Sequence, residues 1–344
     1  MTATSLEFHR PPELSATVPP EERGIDRDGV RLLVSDLSGD RHAQFFDLPS
    51  LLDSGDLLVV NESATVAASL PARGSIGDFL LNFSTDYGHG IWVAEPRWSF
   101  DRPGPLPIQP GTSLSVAGLP ARALGPFPGL DRLWFLHVEG DLDERMRNVG
   151  TPIRYGYTSH PFPLSSYQTV FARVPGSAEM PSAGRPFSPR LLDRLRARGI
   201  RIAPVLLHTG VSSLEFESVP ASFDRLYPEP FEVPAATVAA IEEAHRHCRR
   251  VVAVGTTVIR ALESAWNSGG LRPMRGFTQL AISPARPVRS VDGLLTGLHD
   301  SRTSHLLLLF AVAGEARIRQ AYQEAIRSRY LWHEFGDSHL IWAT

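Results

Sequence analysis

The chain has 344 residues, of which 42% are hydrophobic and 21% charged, with a formal net charge of −3 at pH 7; it is long enough for two domains, and its charge disfavours a general nucleic-acid coat protein. All 34 basic residues are arginine and the single cysteine is Cys248, which excludes a Walker A lysine, a lysine Schiff base, an internal disulfide and cysteine-ligated iron–sulfur or zinc-finger sites, and we expect no metal. No apolar run approaches the roughly 18 residues that span a bilayer and no apolar export signal is present, so we expect a cytoplasmic protein.

The first 64 residues are predicted to begin irregularly and then to form short strands. Residues 1–29 are rich in proline, glutamate and arginine. Apolar stretches bounded by turn residues predict strands at 30–36, 43–46 and 56–61, and one helical turn at 48–52.

The residue pattern changes over about residues 65–149. Short β-like runs at 79–83, 90–94, 113–116 and 133–138 are separated by clusters of proline and glycine. Short strands at regular spacing with turn signals are typical of a small antiparallel sheet or barrel. We therefore predict an inserted β-barrel domain over residues 65–149.

Helices and strands alternate after residue 150. Ser188 and Pro189 have the residue types of an N-cap and a first helical position, and Gly199 ends that helix. Further predicted strands are 200–207, 250–254 and 277–283, and further predicted helices are 234–248, 303–314 and 315–328, with one more ending near 267. This alternation predicts an α/β main domain made of residues 1–64 and 150–344.

Residues 250–265 (Arg-Val-Val-Ala-Val-Gly-Thr-Thr-Val-Ile-Arg-Ala-Leu-Glu-Ser-Ala) carry the strongest functional signal. A β-branched strand ends at Gly255, which permits a sharp turn, and Thr256 or Thr257 is placed to cap the following helix. Free N–H groups at that helix start can hold an anion or a ligand oxygen, and Arg260 adds a cation. The alternative interpretation is a well-capped structural turn.

Three further polar clusters lie at the ends of predicted elements. They are Ser182, Ala183 and Gly184 before the Ser188 helix, His208 with Thr209 and Gly210 after the strand 200–207, and the run 291–299 followed by Arg302 and Thr303. Polar groups at strand ends from separate parts of a chain can converge on one crevice. We therefore expect all four clusters to meet.

Several of these residues suit particular chemistry. His208 has the titration range of a general base, although a hydrogen-bonded histidine at a strand end is an equal alternative. Asp292 can hold a sugar hydroxyl or orient a histidine, but Asp-Gly is also a plain turn signal. His299 with Arg302 can bind a carboxylate or phosphate, or form a surface loop.

Two further groups of side chains lie on predicted helices, an arginine stripe and a pair of histidines. Arg190, Arg194 and Arg198 recur every four residues, so this stripe can contact phosphates, while a solvent-exposed face is the competing interpretation. His245 and His247 lie two residues apart and point to different faces, which disfavours a metal site.

The clusters in this order resemble the S-adenosylmethionine:tRNA ribosyltransferase-isomerase family of queuosine biosynthesis. The resemblance runs from about Pro12 to Ile341. It is strongest at residues 250–265 and 291–314, good at 55–61, 167–172 and 336–337, and poor across about 70–150. The family fold that it implies is an α/β domain interrupted by a smaller β-barrel domain.

The resemblance implies S-adenosylmethionine as a ribosyl donor. A proton leaves the 5′ carbon beside the sulfonium, adenine departs, the aminomethyl group of a 7-deazaguanine in tRNA attacks the sugar, and methionine is released as the epoxide ring forms. His208, Asp292 and Arg260 have the residue types for the base, the ribose anchor and the carboxylate clamp. Further positions assigned are Glu229 and His299 for catalysis, Ser182, Ala183, Gly184, Gly255, Thr256, Thr257 and Arg302 for the donor, and Tyr167 and Gln168 for the tRNA. The arginine stripe adds Arg190 and Arg194 as candidate contacts to the tRNA phosphates.

Several matched positions depart from the family pattern. Two arginines of the segment at residues 61–69 are absent, and Pro186 stands where the family has a histidine. A proline has neither the donor nor the proton chemistry of histidine, and lost arginines weaken anion binding. We therefore interpret the chain as a divergent member, since an α/β scaffold tolerates new chemistry in its loops. The alternatives are an enzyme with another, small-molecule acceptor, and a non-catalytic protein that binds a nucleoside or tRNA.

Overall fold

The structure is a computed structural model that describes residues 7–211, 225–301 and 303–343. The strands are, in chain order, β1 (Arg31–Asp36), β2 (Gly39–Gln44), β3 (Leu57–Asn61), β4 (Ser63–Thr65), β5 (Ser69–Gly74), β6 (Gly77–Gly88), β7 (Ile91–Arg97), β8 (Ser113–Val116), β9 (Leu119–Phe127), β10 (Leu130–Val138), β11 (Val174–Ser177), β12 (Arg201–Leu207), β13 (Arg225–Val233), β14 (Val251–Val254), β15 (Trp266–Asn267), β16 (Gly270–Leu271), β17 (Met274–Leu280), β18 (Gly293–Gly297) and β19 (Ser338–Trp342). The α-helices are α1 (Leu48–Leu51), α2 (Leu142–Val149), α3 (Pro189–Ala197), α4 (Ala235–Arg246), α5 (Thr256–Ser264), α6 (Ser304–Ala313) and α7 (Glu315–Arg327).

Nine strands form one mixed sheet in the order β17-β13-β12-β3-β14-β18-β19-β1-β2. The four central strands β12, β3, β14 and β18 are mutually parallel, whereas β13 runs antiparallel to β12 and β19 runs antiparallel to β18. The carboxyl ends of the four central strands therefore meet at one edge of the sheet, which we call the carboxyl edge. Open α/β sheets bind their ligands at this edge.

Apolar side chains cover both faces of the central strands. Along β3, Leu57 and Val59 pack into the core shared with α4, α5, α6 and α7, and Leu58 and Val60 pack into the core shared with α3. Burial on both faces is why these strands read as continuous apolar runs rather than as alternating ones. The result is a sheet held between two helical layers, which fixes the position of its carboxyl edge.

Six strands form a closed antiparallel barrel in the order β10-β7-β6-β5-β8-β9. Leu114 and Val116 of β8 are buried in the barrel interior while Ser113 and Ser115 are exposed. This alternation is what a small barrel requires, because successive side chains point to opposite faces of a strand. The barrel meets the main sheet through β4, which follows β3 and pairs in parallel with β11.

The predicted fold class, an α/β sheet with a small antiparallel β-barrel, is confirmed. The strand expected at 43–46 is misplaced, since β2 ends at Gln44 and Phe45–Asp47 form a 3₁₀ turn. The domain boundaries at residues 65 and 149 stay a prediction.

Across the described part of the chain, no helix is both long and apolar enough to cross a membrane.

Candidate functional site

The carboxyl edge of the sheet borders a cavity of about 520 Å³. Its lining includes segments that follow three central strands: Thr209 and Gly210 after β12, Gly255 to Thr257 after β14, and Leu298 to Asp300 after β18. Other parts of the lining come from the chain near Arg10, from several residues between Ile153 and Ala183, from β13, α5 and the start of α6, and from residues just before β19. Distant segments of sequence therefore converge on one hollow, as the predicted strand ends required.

Helix α5 begins at this cavity. Gly255 precedes it with φ +102°, a conformation that L side chains rarely adopt, and a Cβ there would lie 3.4 Å from the Cβ of Ala183. The prediction that Thr256 or Thr257 caps α5 is wrong, because the N-cap residue is Gly255, which has no side chain. The first N–H groups of α5 thus have no side-chain cap among residues 7–211, 225–301 and 303–343, which favours an anionic or oxygen-bearing ligand.

Arg260, one turn into α5, forms a buried ion pair. Its Nη1 donates to Glu229 Oε2 and its Nε donates to the carbonyl oxygen of Leu280 at 3.1 Å. Glu229 Oε1 accepts the backbone N–H of Gly210 at 2.8 Å, which joins α5 to the segment after β12. The ion pair and its hydrogen bonds fix the guanidinium in the cavity lining, as a buried charge pair requires.

Two stacked histidines lie in another part of the lining. The rings of His299 and His305 are 4.5 Å apart at 15°, and His299 Nε2 lies 2.9 Å from Thr296 Oγ1. Burial lowers the pKa of His305 to about 4, and the charge of Arg260 adds to the shift. Burial also lowers the pKa of His299 well below its ordinary value. Both imidazoles are therefore neutral at pH 7, the form that accepts a proton.

Arg10 also lines the cavity, although it is distant in sequence from most of its partners there. Arg10 Nε donates to Asp300 Oδ1 at 2.7 Å, Nη1 donates to Ser15 Oγ at 2.7 Å, and Nη2 lies 3.3 Å from His333 Nε2. Burial lowers the pKa of His333 to about 4, although the Asp300 carboxylate opposes the shift. This cluster ties the N-terminal segment to the loop after β18.

Two tyrosine–glutamate pairs complete the lining. The Tyr157 hydroxyl donates to Glu334 Oε2 at 2.5 Å, and the Tyr155 hydroxyl donates to Glu179. The Tyr157 ring also stacks on His333 at 4.0 Å and 7°. The lining thus combines aromatic faces with carboxylate acceptors.

Four buried polar atoms of the lining have no hydrogen-bond partner among the described residues. They are Thr65 Oγ1, Tyr167 Oη, Thr209 Oγ1 and Arg260 Nη2. Buried polar groups in native proteins are normally hydrogen-bonded, to protein, water or ligand. Their concentration in one cavity indicates a site built for a polar ligand.

Comparison with known proteins identifies the family. The profile of the family described as "Queuosine biosynthesis protein" matches residues 3–341. The chain belongs to this family. The S-adenosylmethionine:tRNA ribosyltransferase-isomerases of Thermus thermophilus and Rubrobacter xylanophilus are 35% and 38% identical to it over 352 and 348 residues, covering at least 98% of each chain. The crystal structure of an S-adenosylmethionine tRNA ribosyltransferase from Thermotoga maritima superimposes with a TM-score of 0.55 at 28% identity, over 98% of this chain and 99% of that one.

The resemblance that the motifs indicate is thereby confirmed, and the structure places nine of the predicted site residues in one cavity. They are Tyr167, Ser182, Ala183, Glu229, Gly255, Thr256, Thr257, Arg260 and His299. Gly184 lies just outside the lining, against Thr169 and Phe171. Arg302 lies outside the described residues.

His208 is not part of the cavity lining. Its Nδ1 lies 2.7 Å from Ser63 Oγ, and its ring packs so closely on Gly176 that a Cβ there would lie 2.7 Å from His208 Cε1. Burial lowers its pKa. The alternative interpretation, a hydrogen-bonded histidine at a strand end, describes this position, and the adjacent Thr209 contributes to the cavity instead.

Asp292 lies at the opposite edge of the sheet from the cavity, so the expectation that all four clusters meet is wrong for it. It directly precedes β18, and amino ends of parallel strands lie away from the carboxyl edge. Its Oδ2 accepts the Val251 N–H at 2.8 Å and lies 3.3 Å from His245 Nε2. Asp292 does orient a histidine, but this histidine lies on α4.

Of the residues predicted to contact tRNA, Tyr167 lines the cavity and three others do not. Tyr167 lines the cavity, whereas the Gln168 amide bonds both backbone groups of Thr65. Arg190 pairs with Asp26 and Asp28. Arg194 donates to the carbonyl oxygen of Phe46 at 2.8 Å. Gln168, Arg190 and Arg194 thus have intramolecular roles and lie outside the cavity.

Sequence reasoning missed His305, Tyr157, His333 and Glu334. His305 lies in the first turn of α6, two residues after the N-cap Thr303, and this position next to a polar cluster was the one available signal. The other three lie in irregular segments, where no periodic pattern marks a side chain as inward-facing.

Proposed function

We propose that this protein transfers and isomerises the ribosyl group of S-adenosylmethionine onto 7-aminomethyl-7-deazaguanine in tRNA, with release of adenine and methionine, in the cytoplasm. The relatives that cover the chain from end to end carry the name of this reaction. The single observation that carries the proposal is the cavity at the carboxyl edge, because four buried polar atoms in its lining have no hydrogen-bond partner in the part of the chain that the structure describes. Such atoms are expected where a polar substrate is bound.

The methionine carboxylate is proposed to bind at the start of α5. The uncapped N–H groups at Thr256 and Thr257 provide donors, and Arg260 Nη2 is a further donor without a partner among the described residues. Helix N-termini and guanidinium groups both favour carboxylates. Because Glu229 holds the other nitrogen of Arg260, the guanidinium is positioned before the ligand arrives.

His305 is proposed as the base that removes the proton from the 5′ carbon. Its stack on His299 holds the ring in place, and its low pKa keeps it neutral at pH 7. The hydrogen bond of His299 to Thr296 makes His299 a positioning residue for this ring. His208 and Asp292 have no role in this proposal, because both lie outside the cavity.

The direct test is incubation with S-adenosylmethionine, with and without tRNA that carries 7-aminomethyl-7-deazaguanine, followed by chromatography for adenine and methionine. We expect release of both that depends on this tRNA. Release without tRNA would indicate another acceptor, and binding without release would indicate a non-catalytic protein; either result contradicts the proposal.

The matched variants for the base are His305→Ala and His247→Ala, since His247 is an exposed histidine at the end of α4. The first is expected to lower adenine release by at least about a hundredfold, the usual contribution of a general base, and the second to leave it unchanged. The acid limb of kcat/KM is expected nearer pH 4 than pH 6.5, because His305 protonates at about 4. Full activity of His305→Ala would remove this residue from the mechanism.

A further inference from the structure

One wall of the cavity consists of aromatic rings with a carboxylate at their edge. We define this base wall by Tyr155, Tyr157, Tyr167, His333 and Glu334, all of which line the cavity. Tyr157 and His333 are stacked, and Tyr155 lies alongside Tyr157 with 6.0 Å between ring centres at 27°. The rings therefore form a short ladder, the arrangement on which proteins stack an unpaired base.

The polar groups of the base wall supply one acceptor and one unused hydroxyl. Glu334 Oε2 accepts the Tyr157 hydroxyl, which holds the carboxylate at the edge of the ladder. The Tyr167 side chain is 4% exposed, and its hydroxyl has no partner among the described residues. Burial raises the pKa of the Tyr167 phenol, and the Glu334 charge adds to the shift. The Tyr167 ring also contacts the ring of Phe335, the residue after Glu334, with 5.2 Å between ring centres, which places the two groups in one part of the cavity.

This pattern matches the edge of a guanine-type base. Such a base has a ring N–H and a 2-amino group side by side, which one carboxylate accepts together, and an O6 that accepts from a hydroxyl. Adenine fits poorly, because its ring nitrogen at the same place is an acceptor that would face the carboxylate. A bound base would cover the partly buried Glu334 carboxylate, and a covered carboxylate without a matching donor is strongly unfavourable, which gives the wall its selectivity.

We propose that the base wall binds the acceptor base of the tRNA, with Glu334 accepting from its ring N–H and 2-amino group and Tyr167 donating to its O6. The inference rests on the proposed function and assigns the acceptor, rather than the adenine of S-adenosylmethionine, to this side of the cavity. The start of α5 and Arg260 remain for the donor substrate. An enzyme that acts on a base of an RNA must extrude it from its stack, and an aromatic ladder offers a replacement for the lost stacking.

The test pairs a side-chain change with a substrate change. RNA stem-loops carrying 7-aminomethyl-7-deazaguanine, with or without its 2-amino group, are assayed for adenine release by the wild type and by Glu334→Gln. The wild type is expected to lose at least about tenfold in kcat/KM when the 2-amino group is absent, as sites built around a hydrogen bond do. Glu334→Gln is expected to distinguish the two RNAs by less than about twofold, because one of the two acceptor oxygens becomes an NH2 donor and the side chain no longer accepts from the ring N–H and the 2-amino group together. Glu144→Gln, at an exposed position of α2, is the matched control and should discriminate like the wild type.

Tyr167→Phe is the second variant, since it removes only a hydroxyl that has no partner among the described residues. It should therefore fold with unchanged or higher thermal stability, while KM for the RNA rises by about tenfold and KM for S-adenosylmethionine stays within twofold. A rise confined to KM for S-adenosylmethionine would overturn the inference and place adenine on this wall. Equal discrimination by wild type and Glu334→Gln would also overturn it. Failure of the proposed function differs from both, because the wild type would then release no adenine with either RNA.

Discussion

The buried histidine of β19 makes a specific prediction about acid stability. His339 is fully buried, and its Nε2 lies 2.8 Å from Ser35 Oγ. Since the Ser35 hydroxyl donates to Asp40 Oδ1 at 2.5 Å, Ser35 must accept from His339 Nε2–H. His339 Nδ1 then has no partner among the described residues, and protonation would create a buried cation without an acceptor. Burial accordingly lowers the pKa of His339 to about 3.

The substitution that tests this is His339→Met. The methionine side chain has a volume similar to that of histidine, and the Ser35 hydroxyl can still donate to Asp40. Above pH 6.5 the histidine is neutral in both states and contributes no pH dependence. Below pH 6.5 the histidine binds a proton in the unfolded chain but not in the native state. The free energy of unfolding of the wild type therefore falls by about 1.4 kcal/mol for each pH unit. At pH 4.5 this amounts to about 2–3 kcal/mol from His339 alone.

The assay is urea unfolding of both proteins at pH 7.0 and pH 4.5. His339→Met should be as stable as the wild type or more stable at pH 7.0, because a buried nitrogen without a partner is removed. On acidification it should lose about 2–3 kcal/mol less than the wild type. His160→Met, at an exposed position, is the control and should follow the wild type. Equal losses for wild type and His339→Met would refute the reasoning.

Three further predictions concern the site and its surroundings. Asp292→Ala should leave tRNA-dependent adenine release within twofold while lowering the free energy of unfolding by about 1–3 kcal/mol, since it loses the bond to the Val251 N–H; a collapse of activity in folded protein would return Asp292 to the site. Glu229→Gln should cost about 3–5 kcal/mol in thermal unfolding, because it leaves the Arg260 guanidinium buried without a carboxylate, and a loss below 1 kcal/mol would argue against a dry ion pair. Gly255→Ala should raise KM for S-adenosylmethionine more than KM for tRNA, since φ +102° cannot be kept without strain; unchanged values for both would separate the start of α5 from donor binding.

The sequence predicted the elements whose signals are local. Ser188 and Pro189 marked the start of α3, where the Ser188 side chain does cap the helix, and the β-branched run before Gly255 marked β14. In contrast, β18 has glycine at both ends and reads as a turn, yet it is buried between β14 and β19. Strands of this kind are decided by their neighbours rather than by propensity, so a single sequence does not reveal them.

The candidate site was predictable only as far as strand direction could be inferred. Gly255 and His299 follow parallel strands and line the cavity, whereas Asp292 precedes a strand and lies at the other edge. Because no strand was predicted at Gly293–Gly297, nothing in the sequence indicated that Asp292 lies at the amino end of one. Arg10 and Glu334 come from segments without periodicity, and only the tertiary fold brings them to the cavity.

A crystal structure of the protein with S-adenosylmethionine tests the central claim most directly. We predict that the ligand occupies the cavity at the carboxyl edge, with its carboxylate at the start of α5 within hydrogen-bond distance of Arg260 and its 5′ carbon facing His305. Ligand bound at the amino edge beside Asp292, or in the cavity with the carboxylate turned away from α5, would contradict the account.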